Sequence, residues 1–399
     1  MGKISSKAKK LRLNAARFLK IIPERTKKID QTEPNNVKPL NDYKPNAIAS
    51  LIHPEKQFVK VSEVIELTDS SKLFKLIPDK DLGTTRLAPF KAGSCISVEA
   101  EIDGQKYLRP YSISSSPLEG YYEIIVKKTN GGIVSNYLHE NIKVGDELVV
   151  SGPFGEFTYN PLRDAKTVIG IAGGVGITPF RSYIKAITDG AENFSLILFY
   201  GIADPKDIVC RDELDKLALH DNIKIVYVMS GDGNVPEGFE KGFVTAELIK
   251  KYAPEGDYSV FVCGPDVMYR YLDEELRKLN LRRKFIRFDY RGEPLSPEKE
   301  ADYIPADGEK YSVLVHFRGV VTKIMCDANE TILKALEKAG IYVPTRCMSG
   351  ACGFCRTKLI SGNYYMPENR DGRREADRMF GYIHPCSTFP RSDMEIMLP

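Results

Sequence analysis

No run approaching 20 consecutive apolar residues occurs in the 399-residue sequence, which excludes a transmembrane helix. Nor does the start carry a short apolar core followed by a small-residue cleavage site, so secretion is not expected and a cytoplasmic location is. Net charge is nearly absent: 57 Lys and Arg face 54 Asp and Glu, leaving +3, too little to imply a nucleic-acid partner. No internal repeat is evident. With 42% apolar residues the composition is neither disordered nor fibrous. The length suits two or three domains, each able to bury a core without disulfides.

The small net charge conceals an asymmetry. Residues 1–28 hold ten Lys or Arg against one acid, Glu24, so the arm carries +9 and the remaining 371 residues −6. Ile4, Ala8, Leu11, Ala15, Phe18 and Ile22 recur at alternating spacings of four and three, which predicts a helical arm with one apolar stripe. Pro23 ends or bends it. Several readings stay open: a surface helix packed on the body, a docking segment for a partner protein, or a helix lying on an anionic membrane surface, which would make the protein peripheral to a membrane. A transit peptide is a further one, and Met1–Ser6 also fits the myristoylation pattern.

Cysteine is scarce and unevenly placed. Cys347, Cys352, Cys355 and Cys386 fall in the last 53 residues, whereas Cys95, Cys210, Cys263 and Cys326 are scattered. A disulfide framework does not cluster this way, but a metal site does. The spacing is C-x4-C-x2-C, with Cys386 after thirty intervening residues. Zinc more often takes C-x2-C pairs or histidine, whereas this is the plant-type [2Fe–2S] arrangement. Gly350 and Gly353 let the backbone approach and donate N–H groups to sulfur. The competing reading, three buried cysteines spaced by chance, is rare at this cysteine content.

Along the chain, the pattern predicts an arm and linker over 1–50, the linker part broken by Pro34, Pro39 and Pro45. Residues 51–162 alternate in strand fashion at Phe58–Ser62 and Tyr122–Lys127, with turns at Asp103-Gly104 and Asn130-Gly131, and suggest a small antiparallel barrel. Gly152–Gly155 reads as a turn out of a strand over Glu147–Val150. Over 163–290, short apolar runs alternate with helical stretches, which indicates a doubly wound parallel sheet. Residues 291–306 are rich in Pro, Glu and Asp and read as a second linker. The last segment, 307–399, holds the cysteine cluster.

Thr167–Pro179 is an apolar strand, a glycine turn (Gly173, Gly174, Gly176) and a helix start, with Thr178 as N-cap and Pro179 at the first helical position. Such a turn offers bare N–H groups to a phosphate, although structural glycine turns are also common. Cys263-Gly264-Pro265 ends another parallel strand at the same rim; a buried structural Cys263 is the alternative. In the barrel segment, Arg109-Pro-Tyr-Ser112 puts a cation, an aromatic ring and a hydroxyl together. Arg109 suits a pyrophosphate and Tyr111 a flat ring. Gly132-Ile-Val-Ser135 resembles a second phosphate cradle.

In this order the motifs resemble the ferredoxin–NAD(P) reductase superfamily, carried by Arg109–Ser112, Val126-Lys127, Gly132–Ser135, Gly173–Pro179 and Cys263–Pro265. The C-terminal segment resembles plant-type [2Fe–2S] ferredoxins, whose β-grasp fold that resemblance implies. The fold class is thus multidomain: a flavin-binding antiparallel barrel, an α/β nucleotide domain and a β-grasp ferredoxin domain behind a helical arm. The resemblance implies that Tyr111 packs on the isoalloxazine and Ser112 bonds near its reactive nitrogen. It assigns Arg109 and Gly132, Val134 and Ser135 to the pyrophosphate, and Gly173–Pro179 with Cys263–Pro265 to the nicotinamide. Tyr111, Ser112 and Cys263 are the catalytic candidates.

One branch with a C-terminal ferredoxin uses FMN, but the Gly132–Ser135 turn favours FAD. Asp204, near the end of the second parallel strand, favours NADH over NADPH, although Lys206 lies close. The implied activity is an oxidoreductase that passes electrons from NADH through FAD and the [2Fe–2S] cluster to a redox partner protein. Oxygenases, desaturases and hybrid-cluster proteins all accept from such reductases. The alternative is an electron-input subunit anchored by residues 1–28 in a larger complex or at a membrane surface, without independent turnover.

Overall fold

The computed structural model describes Pro23 and residues 43–231, 233–294 and 296–399. The expected helical arm over 1–28 lies, Pro23 apart, outside the described residues. The chain divides into two compact units, Met1–Ile52 and His53–Pro399. Within the first, the helix Lys44–Ile52 has no buried residue. It stands in a stretch that composition reads as linker, where the run Ala47–Ile52 is free of the prolines that break the chain before it.

The second unit begins with six antiparallel strands: β1 (Gln57–Thr68), β2 (Ser71–Pro78), β3 (Cys95–Ile102), β4 (Gln105–Ser112), β5 (Tyr122–Lys127) and β6 (Glu147–Phe154). They are ordered β4-β3-β6-β1-β2-β5. A bridge between Ile113 and Ile124 links the two end strands, which removes the open edges and makes the barrel. Asp103 and Gly104 both take positive φ, 52° and 74°, as a two-residue hairpin between β3 and β4 requires. Asn130-Gly131 joins no strand pair; it leads into the helix Ile133–Asn141, with Gly132 at its N-cap. The expected turn at Gly152–Gly155 is also corrected. β6 runs on to Phe154, because Phe154 still pairs with Cys95 on β3 and Gly152 absorbs a φ of +103° within the strand.

Six parallel strands follow: β7 (Thr167–Gly173), β8 (Ser195–Ile202), β9 (Ile223–Met229), β10 (Glu240–Lys241), β11 (Ser259–Cys263) and β12 (Ile286–Phe288). Their order is β10-β9-β8-β7-β11-β12. Both faces are buried, as their unbroken apolar runs require. Val168, Leu196 and Leu198 pack with Phe180 and Ile184 on one side. Ile169, Ile171 and Phe199 pack with Ile249 and Leu272 on the other.

The first of these clusters also takes in Leu73, Ala92, Ile125 and Phe157 of the barrel segment, so barrel and sheet share a core. Arg181, on the helix Thr178–Thr188, secures that contact. It donates to Glu123 on β5 at 2.5 Å and to Glu213 at 2.7 and 2.8 Å. Replacing Arg181 by Ala leaves Glu123 buried with only Lys185 at 3.6 Å. The expected cost is about 3 kcal/mol. Chemical denaturation checks this: a loss below about 1 kcal/mol would mean that the pair contributes no more than a surface ion pair.

The C-terminal sheet joins β13 (Lys310–Phe317), β14 (Val320–Asp327), β15 (Thr357–Ser361), β17 (Tyr382–Ile383) and β19 (Met394–Met397) in the order β14-β13-β19-β15-β17. A small second sheet pairs β16 (Tyr364–Tyr365) with β18 (Phe389–Pro390). β13 and β19 are parallel, and the helix Ile332–Lys338 packs on the sheet through Ile332, Leu333 and Leu336. This is the β-grasp arrangement. Among the described residues no helix is long and apolar enough to cross a membrane.

Candidate functional site

The strand order of the parallel sheet creates the site. From β7 the chain turns to β8 on one side, while β11 lies on the other, so the loops after β7 and β11 diverge. Ligands bind at the carboxyl ends of strands at such a switch point. Ala172 at the end of β7 lies opposite Cys263 at the end of β11. A Cβ on Gly176 would overlap the Cys263 carbonyl oxygen, and one on Gly173 would come within 2.7 Å of the Met268 sulfur. Here glycine is a requirement of close approach rather than of backbone freedom.

A cleft of about 950 Å³ opens at this point and extends to the barrel wall. It brings together Tyr111, Ser112 and Lys127 from the barrel, Gly173, Gly174, Gly176 and Thr178 from the turn after β7, and Cys263, Gly264 and Pro265 from the end of β11. These segments lie far apart in sequence. The volume suits a flat heteroaromatic ligand pair in a partly apolar crevice. Thr178 is the first helical residue rather than the expected N-cap. Ile177 holds that position, because the turn Gly174–Ile177 is already wound as a 3-10 helix and the Thr178 hydroxyl donates back to Val175 O at 2.7 Å.

Other candidates lie elsewhere. Val126 and Val134 are in the barrel core. Gly132 and Ser135 open the helix Ile133–Asn141 outside the cleft lining. Pro179 is buried and is the second helical residue rather than the expected first, because the helix already begins at Thr178. Asp204 accepts from the Lys206 N–H at 3.0 Å and pairs with its ammonium at 3.3 Å. Arg109 forms a two-point pair with Glu337 of the ferredoxin domain, both bonds 2.9 Å.

Among the cleft residues that escaped the sequence reading are Asp289, Arg291 and Glu293. Arg291 holds Asp289 through Nε at 3.0 Å and NH2 at 2.8 Å, and its NH1 contacts the Cys95 sulfur. The Cys263 thiol lies 3.7 Å from Asp289 Oδ2. Burial pushes Cys263 well above the usual thiol range and Cys95 up to about 12, so both are neutral thiols at neutral pH. Burial also raises Asp289, against the pull of Arg291. Arg291 and Glu293 stand in a Pro- and Glu-rich run whose composition reads as linker, and Asp289, just before it, carries no motif.

The four cysteines of the C-terminal cluster meet in one loop region. Cys355 and Cys386 sulfurs are 3.4 Å apart. Cys347 Sγ accepts N–H groups from Ser349 at 3.4 Å and Cys352 at 3.3 Å; Cys386 Sγ accepts from Gly350 at 3.2 Å; Cys352 Sγ accepts from Phe354 at 3.4 Å. Peptide N–H donors aimed at sulfur suit an anionic iron–sulfur centre. Gly350 has φ +79°, and a side chain there would strike the Arg370 carbonyl. Three of the cysteines are buried and Cys352 is exposed. The Gly292 N–H bonds the Cys347 carbonyl at 3.4 Å, so the cleft wall touches the cluster loop directly.

Comparison with known proteins agrees with this geometry. Residues 59–159 match the oxidoreductase FAD-binding domain, 171–274 the oxidoreductase NAD-binding domain, and 315–391 the 2Fe-2S iron-sulfur cluster binding domain. The chain is 31% identical over 361 residues to the glycine betaine monooxygenase reductase subunit of Pseudomonas aeruginosa, covering 86% of this chain and 95% of that one. It is 28% identical over 307 residues to the NADH oxidoreductase HCR of Escherichia coli, covering 77% and 88%. The solved structure of phthalate dioxygenase reductase superposes with a TM-score of 0.61 at 26% identity, covering 86% and 97%. The chain therefore belongs to the ferredoxin–NAD(P) reductases that carry a fused C-terminal [2Fe–2S] domain, oxidoreductases that use NADH, FAD and the cluster.

Proposed function

We propose that this chain is the reductase component of a multi-protein oxygenase, handing electrons from NADH to a separate terminal protein. The observation that carries the reading is the single cleft shared by the barrel motif and both nucleotide-strand ends, with its wall bonded to the Cys347 peptide. The relatives that span nearly the whole chain are reductase subunits, which favours turnover with a separate acceptor over an anchored subunit.

When bound, FAD would supply the conversion of the two-electron hydride of NADH into the single electrons that a [2Fe–2S] cluster takes. Tyr111 and Ser112 line the flavin position. Gly173, Gly174 and Gly176 admit the nicotinamide by having no side chains, and Pro265 closes the far wall. Cys263, a neutral thiol, offers a hydrogen bond without competing as a nucleophile. Arg109, Lys127 and the helix-opening amides of Ile133, Val134 and Ser135 supply donors for the FAD phosphates, with Gly132 at the N-cap. Cys347, Cys352, Cys355 and Cys386 ligate the cluster, and the exposed Cys352 side is where electrons leave. The modules divide at 51–162, 163–290 and 307–399.

An absorbance spectrum of anaerobically purified protein tests the reading. Flavin and cluster bands are expected together, and NADH is expected to bleach both. Protein that lacks the cluster bands, or whose cluster NADH leaves oxidised, overturns it.

A further inference from the structure

The helix Ile332–Lys338 of the ferredoxin domain is held at both ends by the flavin-side structure. At its start, the capping Thr331 hydroxyl donates to Glu293, in the cleft wall, at 2.6 Å. In its last turn, Glu337 takes both terminal nitrogens of Arg109, on β4. The Glu337 side chain is 11% exposed and that of Arg109 24%, so water screens the pair weakly. Arg109 also donates to Leu108 O at 2.8 Å and reaches the Met348 sulfur at 3.6 Å. Met348 directly follows the cluster ligand Cys347. The remaining bonds from this side to the cluster loop, Ser97 Oγ to Arg346 O at 3.2 Å and Gly292 N to Cys347 O at 3.4 Å, are single bonds to backbone.

A guanidinium has five N–H donors. Glu337 and Leu108 occupy three, leaving Nε–H and one terminal N–H, the side edge that suits two phosphate oxygens. Arg109 can therefore hold Glu337 and a FAD phosphate at once, and Glu337 fixes the orientation in which it does so.

We propose that Glu337 is a positioning residue for the flavin-to-cluster step, acting through Arg109 to register the cluster loop against the flavin-binding barrel. The proposal rests on the NADH–FAD–cluster path of the proposed function. Electron transfer weakens steeply with distance, so a loosened register slows the passage into the cluster but not the hydride step, which lies between the barrel and the nucleotide domain.

The test uses full-length holoprotein mixed anaerobically with NADH, following flavin bleaching and then cluster bleaching. Glu337→Gln keeps the shape and removes the charge. Its FAD and cluster contents are expected to match the parent, with flavin bleaching within about twofold and cluster bleaching slowed roughly tenfold. Glu337→Asp, which keeps the charge, is expected to recover most of that rate. Unchanged cluster bleaching in Glu337→Gln, equal slowing of both phases, no recovery by Glu337→Asp, or loss of FAD or cluster would each overturn the proposal. A parent protein whose cluster NADH never reduces would instead refute the path itself.

Discussion

Cys386→Ser is expected to abolish cluster-dependent electron transfer while leaving NADH oxidation at the flavin intact. Cys386 is buried, its sulfur accepts the Gly350 N–H at 3.2 Å, and it lies 3.4 Å from the Cys355 sulfur. An alkoxide oxygen is harder, less polarizable and more basic than a thiolate, and iron–sulfur clusters select soft ligands. The surrounding N–H groups are also spaced for sulfur. We expect the visible cluster bands to vanish and cytochrome c reduction to fall by roughly 100-fold, with NADH–ferricyanide activity kept within about twofold. The flavin barrel and parallel sheet have cores separate from that of the ferredoxin domain, so they do not depend on the cluster for folding. Cytochrome c reduction at the parental rate in cluster-free protein would show that electrons leave from the flavin.

The second large effect is expected at Gly176→Ala. The added methyl would meet the Cys263 carbonyl oxygen and stand 2.9 Å from the Gly264 Cα. Both are backbone atoms that cannot swing aside, unlike the end of a flexible side chain. Relief requires β7 and β11 to part at the rim where Gly173, Gly264 and Pro265 line the cleft. Overpacking of this kind costs about 1–3 kcal/mol, and a displacement of about 1 Å at a reacting centre costs on the order of 100-fold in rate. We expect NADH-driven flavin reduction to fall by that order while dithionite still reduces flavin and cluster. A variant that keeps its NADH rate within about twofold would place the nicotinamide away from this crossing.

The two predictions separate the ends of one path, and they differ in how readily the sequence disclosed them. The cluster ligands were legible because three of the four lie in a nine-residue loop whose spacing is set by the metal chemistry itself. The Gly173–Gly176 turn was legible because strand, glycine turn and helix are local events. Thr178 was misread as a cap because a 3-10 turn had already taken up the residues before it. The strand through Gly152–Phe154 was misread as a turn because its pairing with Cys95 comes from another part of the chain. Arg291 and Glu293 were hidden by a composition that ordinarily marks linkers, although Arg291 is ion-paired with Asp289 in the cleft wall.

By itself, then, the sequence determined which cofactor classes the chain handles and in what order its modules stand, because those properties reside in short motifs whose spacing is chemical. The tertiary structure alone decided which residues face one another: Arg109 with Glu337 across 228 positions, Cys263 with Asp289 across 26, and Gly292 with the Cys347 peptide. Such pairs follow from how a closed barrel, a parallel sheet and a β-grasp sheet bury their apolar faces. That packing is a property of whole surfaces, and no local pattern encodes which charged residue it leaves opposite another.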